Sequence, residues 1–245
     1  MTTLSVNLNK VCLVRNSRGG TVPDLVEAAR LAIAAGCRGL TLHPRADARH
    51  ATLDDVRRLA TMPEVADGRI ELNVEGDLRR EVMEVVRETR ATQYTVVPVT
   101  PGEVTSTRGW RATDDGDALH RAVDSFAGST RISLFVDAEG EGIDLAAAAG
   151  AGCVELHTFD YAAAYPTPRR EAVLARFVRA AERARGLGLR VHAGHDLDLE
   201  NLALLVERLR PDEVSIGHAI VSQAILTGLP LVVARYAAIT GANAL

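Results

Sequence analysis

The chain has 245 residues, 47% of them apolar, 24% charged and only 4% aromatic, with a formal net charge of -4. That length suits one large single-core domain, and the slightly acidic balance excludes a general nucleic-acid binder, which would carry a basic surplus. The three cysteines, Cys12, Cys37 and Cys153, are far apart and never in a Cys-x-x-Cys pair, which suggests neither a disulfide framework nor a thiolate zinc site.

Strand-like and helix-like periods alternate from end to end. Residues 4–8 read as a first strand, and residues 21–35 as a helix with Pro23 in its first turn and Gly36 as its stop. Residues 39–43 read as a second strand, 53–62 as a helix, and 69–75 as a third strand followed by a charged helix to about residue 89. The fourth strand, 94–99, runs into a Pro- and Thr-rich loop over 100–114, the longest stretch without periodicity; either this loop or the one after the first strand is a plausible lid. Then come a helix at 115–126, a strand at 132–136, a short helix at 142–149 and a strand at 153–158. A long helix at 169–185 leads to a strand at 189–193, a helix at 199–209, a strand at 214–216, and helices at 219–227 and 229–239.

Eight strand–helix units in a chain of this length predict an α/β fold, a (β/α)8 TIM barrel, as a single domain over residues 1–245 with room for extra helices. An open doubly wound sheet would want a Gly-x-Gly-x-x-Gly turn after the first strand, and Asn9-Lys10-Val11 is nothing like one. No apolar run approaches membrane-spanning length and no signal-peptide pattern follows Met1, so a soluble cytoplasmic protein without membrane partners is expected.

A barrel of this kind does its chemistry at the C-terminal ends of its strands. Those ends carry Asn7 and Asn9, His43, Asn73 and Glu75, Pro98, Asp137, Glu155 and His157, His192 and His195, and His218, five of the seven histidines among them. The adjoining loops add Lys10, Arg15 and Arg18 after the first strand, and Arg45, Arg49 and His50 after the second. Guanidinium forks match phosphate oxygens, and Gly194 and Gly217 stand where barrels commonly bind phosphate on backbone N–H groups. Two cationic regions point to small anionic substrates, with two phosphates. Arg49 reads as a surface charge, and His120, in a polar helix, as solvent-exposed.

A metal site is the rival reading. However, His192 and His195, three residues apart, fall on opposite sides of an extended strand. The first strand ends Asn-x-Asn, where a metal-dependent barrel hydrolase would usually place His-x-His. Free histidines beside Glu75 look instead like acid–base groups. No metal and no cofactor are expected.

Six stretches carry a resemblance: Ser5-Val6-Asn7, Arg15-Asn16-Ser17-Arg18-Gly19-Gly20, Gly39-Leu40-Thr41-Leu42-His43-Pro44-Arg45, Asn73-Val74-Glu75-Gly76, Ala193-Gly194-His195 and Ile216-Gly217-His218-Ala219-Ile220. In this order they resemble the pyridoxine 5′-phosphate synthase family, over essentially the whole chain. The resemblance implies condensation of 3-amino-2-oxopropyl phosphate with 1-deoxy-D-xylulose 5-phosphate, without metal or organic cofactor, in a homo-oligomer, an octamer in the family. It implies His43 and Glu75 as proton acceptors and His195 as proton donor. Asn7, Arg18, Gly217 and His218 would contact the aminoketone phosphate, and Arg45, His50 and Thr105 the deoxyxylulose phosphate.

Asn9-Lys10 stands where many members read Asp-His, and Asp196 where some have glycine; these positions also belong to the expected substrate-binding set. The alternative is another phosphate-sugar barrel enzyme, a metal-dependent isomerase or aldolase.

Overall fold

In the computed structural model, which describes residues 1–98 and 108–241, eight parallel strands close into a barrel in chain order. β1 (Thr3–Asn7) is followed by α1 (Asn9–Asn16) and α2 (Leu25–Ala34), and β2 (Gly39–Leu42) by α3 (Leu53–Ala60) and α4 (Pro63–Ala66). β3 (Glu71–Gly76) leads to α5 (Arg80–Thr89), β4 (Gln93–Val96) to α6 (Gly116–Ser125), and β5 (Arg131–Val136) to α7 (Gly142–Ala148). β6 (Cys153–His157) precedes α8 (Phe159–Ala164) and α9 (Arg170–Gly186), and β7 (Arg190–Gly194) precedes α10 (Leu202–Leu209). β8 (Glu213–Ile216) pairs with β1 and ends in α11 (His218–Thr227) and α12 (Leu229–Thr240). Among the described residues, no helix is long and apolar enough to cross a membrane.

The predicted barrel is therefore present, with three helices the periodicity did not reveal. α1 begins directly after β1 without a side-chain cap, α4 is four residues long, and α8 starts at a threonine whose hydroxyl is used elsewhere. Pro23 does not lie in the first turn of α2. The N-cap is Asp24, whose carboxylate accepts from the Glu27 N–H at 2.9 Å.

Strand alternation divides the interior into two environments. Leu4 and Val6, Leu40 and Leu42, Val154 and Leu156, and Val214 and Ile216 are fully or almost fully buried in the apolar layer between sheet and helices. Burial of this layer supplies the main driving force for folding. The other parity faces the lumen and is largely polar, unlike the Val- and Ile-filled barrel interior usual for this fold.

Lateral hydrogen bonds belt the lumen. Ser5 Oγ and Thr41 Oγ1 lie 2.7 Å apart, Asn73 donates to Thr41 Oγ1 at 3.3 Å, and Thr95 donates to Asn73 Oδ1 at 3.0 Å. Gln93 Nε2 lies 3.3 Å from His192 Nδ1, and Gln93 Oε1 accepts from Arg131 Nε at 2.9 Å. Pairing of this kind offsets much of the cost of burying polar groups. His192, expected among the strand ends at the mouth, belongs to this belt and is 1% exposed.

Candidate functional site

A pocket of about 510 Å³ opens at the C-terminal ends of the strands. β1 and the first turn of α1 bring Asn7, Asn9 and Lys10 to it. β2 and the loop after it bring His43, Arg45 and His50. β3 supplies Glu75, β6 Glu155, β7 and its turn His195 and Asp196, and β8 with α11 Gly217 and His218. Eleven of the thirteen expected site residues thus converge.

Of the other two, Arg18 lies beyond the C-terminus of α1, exposed, and is not among the residues lining the pocket. A two-turn helix carries residues after it about 12 Å from the strand end. Thr105 lies outside the described residues. Arg15 is also not available to a ligand, because it makes a buried two-pronged ion pair with Asp55 at 2.6 and 2.8 Å.

The centre of the site is the Glu75–His43 pair, with His43 Nδ1 3.6 Å from Glu75 Oε2. Burial, then Arg45 and His50, push His43 down to about 3, so it is a neutral base at pH 7. Burial pushes Glu75 up to about 7, against weak donation from Asn7 at 3.4 and 3.5 Å. A carboxyl poised there can take a proton as readily as give one. Asn9 has a framework role: its Oδ1 accepts from the His43 N–H at 2.8 Å, fixing the end of β2.

Across the pocket stand Glu155 and His195. Glu155 is 2% exposed, and one of its carboxyl oxygens has no partner among the described residues. Burial, with Glu75 and Glu213 nearby, raises its pKa well above the ordinary value, which favours its protonated form. Gly194 makes room for it, since a Cβ there would fall 2.3 Å from Glu155 Oε1. The sequence marked Glu155 only as a strand-end residue; its spacing from His157 was a signal, but nothing in it separated lumen from pocket.

His195 and Asp196 both have positive φ, at 81° and 56°. Such backbone costs roughly 1–3 kcal/mol per residue unless the surroundings hold it. Here Thr158 Oγ1 donates to the carbonyls of Gly194 and His195, and Asn201 Nδ2 donates to the Asp196 carbonyl at 3.1 Å. Burial, then His157 and Lys10, push His195 down to about 4.

Two surfaces with the chemistry to receive an anion flank β1. On one side are Lys10, Arg45 and His50, the last pushed down to about 4 by burial and its cationic neighbours. On the other, Gly217, His218 and Ala219 form the start of α11, where the first helical N–H groups are free for an anion. Among the described residues, no three His, Cys, Asp or Glu side chains are grouped to hold a metal ion.

A closed barrel with acid–base groups converging in a pocket at its C-terminal strand ends defines a (β/α)8-barrel enzyme. The sequence profile described as pyridoxal phosphate biosynthesis protein PdxJ matches residues 4–242. The chain belongs to that family, the pyridoxine 5′-phosphate synthases of vitamin B6 biosynthesis.

It is 42% identical over 240 residues to pyridoxine 5′-phosphate synthase of Parabacteroides distasonis, covering 97% of this chain and 98% of the relative. It is 44% identical over 253 aligned residues to the enzyme of that name from Xanthomonas campestris pv. campestris, covering 99% and 98%. N-(5′-phosphoribosyl)anthranilate isomerase from Pyrococcus furiosus superposes with a TM-score of 0.59 at 12% identity, covering 98% of this chain and 99% of that one. That likeness concerns the fold alone.

Proposed function

We propose that the pocket condenses 3-amino-2-oxopropyl phosphate with 1-deoxy-D-xylulose 5-phosphate to pyridoxine 5′-phosphate. The observation that carries this reading is the placing of two unlike anion-binding surfaces on either side of β1, with acid–base groups between them. Lys10, Arg45 and His50 suit one phosphate, and the start of α11 with Asn7 suits the other. Holding both substrates by their phosphates removes much of the entropic barrier to joining them.

Joining an amine to a ketone requires a proton to leave nitrogen and the departing hydroxyl to be protonated. Ring closure requires removal of a carbon proton beside a carbonyl or imine. His43, neutral, and Glu75, half-ionised near pH 7, are suited to the removals. Glu155, whose protonated form burial favours, and His195 are suited to the donations. His195 is neutral in the free enzyme, and the incoming phosphate dianions raise its proton affinity by offsetting the Lys10 charge that depresses it.

The exposed apolar side chains Ile225, Leu226 and Leu231 on α11 and α12 support assembly of copies into a homo-oligomer. The test of function is mass spectrometry of purified protein given both phosphates. The product should be pyridoxine 5′-phosphate, released with inorganic phosphate, and its absence with active control enzyme would sink the substrate assignment.

A further inference from the structure

We propose that His157, clamped by Asp137, is a positioning residue that fixes the orientation and charge state of His195 without touching substrate. The inference rests on the reading of His195 as the proton donor.

His157 is the last residue of β6 and lies in register with Gly194, so its side chain is delivered beside His195. The two imidazoles meet edge to face, with centroids 4.9 Å apart and planes at 84°. Phe135, at the end of β5, closes a triangle of rings, 5.0 Å from His157 and 5.2 Å from His195. Phe159 stacks on His157 at 6.1 Å and 25°. His195 and Phe135 line the pocket while His157 does not, which places it in the wall behind the donor.

Packing alone would leave the imidazole free to flip about its Cβ–Cγ bond, and Asp137 removes that freedom. Its Oδ1 lies 3.3 Å from His157 Nδ1, and the pair is 9% and 36% exposed. A carboxylate at Nδ1 places a proton on that nitrogen. Asp137 is itself held, because it accepts from the Gly109 N–H, which also lowers its pKa alongside the bond to His157. Gly109 passes so close to the end of β5 that a Cβ would fall 2.3 Å from the Asp137 nitrogen. The chain of support runs from the β5 end through Asp137 and His157 to His195.

The electrostatics agree with the geometry. The groups around His157 are Asp137, His195, Glu155 two residues earlier on the same strand, Lys10 across the pocket, and Arg111 beyond Asp137. After burial, His157 is the leading influence holding His195 in its neutral form. Asp137 reaches His195 only through His157, to which it is hydrogen-bonded.

The experiment compares His157→Phe, which keeps a ring but loses the bond to Asp137, with Asp137→Asn and the double variant. Steady-state kinetics are combined with isotope-edited NMR titration of the His195 imidazole. His157→Phe should lower kcat about 10–100-fold, the scale of a donor displaced by an ångström or less. KM for either phosphate substrate should change less than about threefold, because no binding group is touched. The His195 titration should move up by about half a unit or more as the neighbour that lowers it is lost. Asp137→Asn should lower kcat in the same direction, and adding it to His157→Phe should change kcat by less than about twofold, since Asp137 acts through His157.

Wild-type kcat with an unmoved His195 titration in His157→Phe would overturn the proposal, leaving His157 a wall residue. Additive effects in the double variant would overturn it too. Should His157→Phe fail to fold, Asp137→Asn, at a partly exposed position, carries the same kcat and KM prediction. Failure of the underlying reading is seen separately: His195→Asn with wild-type turnover would remove the donor assignment, while the NMR shift still reports on the His157–His195 coupling.

Discussion

Glu75 and His43 are 3.6 Å apart, yet burial drives them in opposite directions, His43 to about 3 and Glu75 to about 7. The pair therefore keeps a neutral imidazole beside a carboxyl that changes charge near neutrality. If Glu75 removes a proton, only its ionised form works, so kcat/KM of the free enzyme should fall as pH drops through about 7. Glu75→Gln should abolish that acidic limb and lower turnover about 10²–10⁴-fold with phosphate binding retained, as read from pH–rate profiles and phosphate titrations. A limb that persists in Glu75→Gln would assign it to another group. A second prediction concerns Asp196, whose φ of 56° is one that glycine adopts freely. Asp196→Gly should leave the urea midpoint unchanged or raise it by up to about 1 kcal/mol of stability. A loss larger than that would show that the carboxylate makes a stabilising contact.

At the scale of elements, α1 organises one side of the pocket from a distance. Its Arg15 grips Asp55, which also forms a capping box with Thr52 at the start of α3. Its Asn16 donates to the His50 carbonyl at 2.6 Å and the Ala48 carbonyl at 3.1 Å, holding the loop that carries Arg45 and His50. Arg15→Ala would leave Asp55 buried without its partner, a loss of about 3–5 kcal/mol. It should also raise KM, because Lys10 and His50 lose their common support. Urea unfolding and steady-state kinetics check both, and an unchanged midpoint would refute the clamp.

This element also shows what the sequence could and could not tell. Alternating periods made all eight strands legible, and strand ends made His43, Glu75 and His195 legible, because position along a barrel strand dictates access to the mouth. The run Arg15-Asn16-Ser17-Arg18 looked like a phosphate loop, because basic and amide side chains are the same whether they face a ligand or a neighbouring helix. Its first two residues are framework, and Arg18 lies exposed beyond the end of α1, outside the pocket lining. His192 was misplaced for a related reason: the strand parity was readable, but not the depth at which the lumen closes.

The molecule as a whole carries its polar groups where barrels of this fold usually carry aliphatic ones, and that choice should be visible in stability. Glu213, 2% exposed in the lumen, is raised to about 8 by burial and by Glu71, against the pull of Arg131 and Arg190. His192, whose Nδ1 lies 3.9 Å from Glu213, is lowered to about 3 by burial and by the same arginines. Below about 4.5 the Glu213 carboxyl is protonated in both folded and unfolded chains. Between about 4.5 and 8 the folded protein keeps a proton that the unfolded chain has released, so stability falls as pH rises through that window and is fully lost above it. The histidine works in the other sense. Unfolded His192 takes a proton below about 6.5 and the folded one only near 3, so stability falls as pH drops across that range. The two windows overlap from about 4.5 to 6.5, where the opposing slopes offset each other and this part of the stability is at its maximum. Glu213→Gln removes only the carboxyl contribution and preserves the shape of the side chain. Its stability relative to wild type should therefore grow from pH 5 to pH 8 and then level off, measured by urea unfolding at constant ionic strength. A difference that stays flat with pH would mean that Glu213 ionises as readily in the barrel as in the unfolded chain.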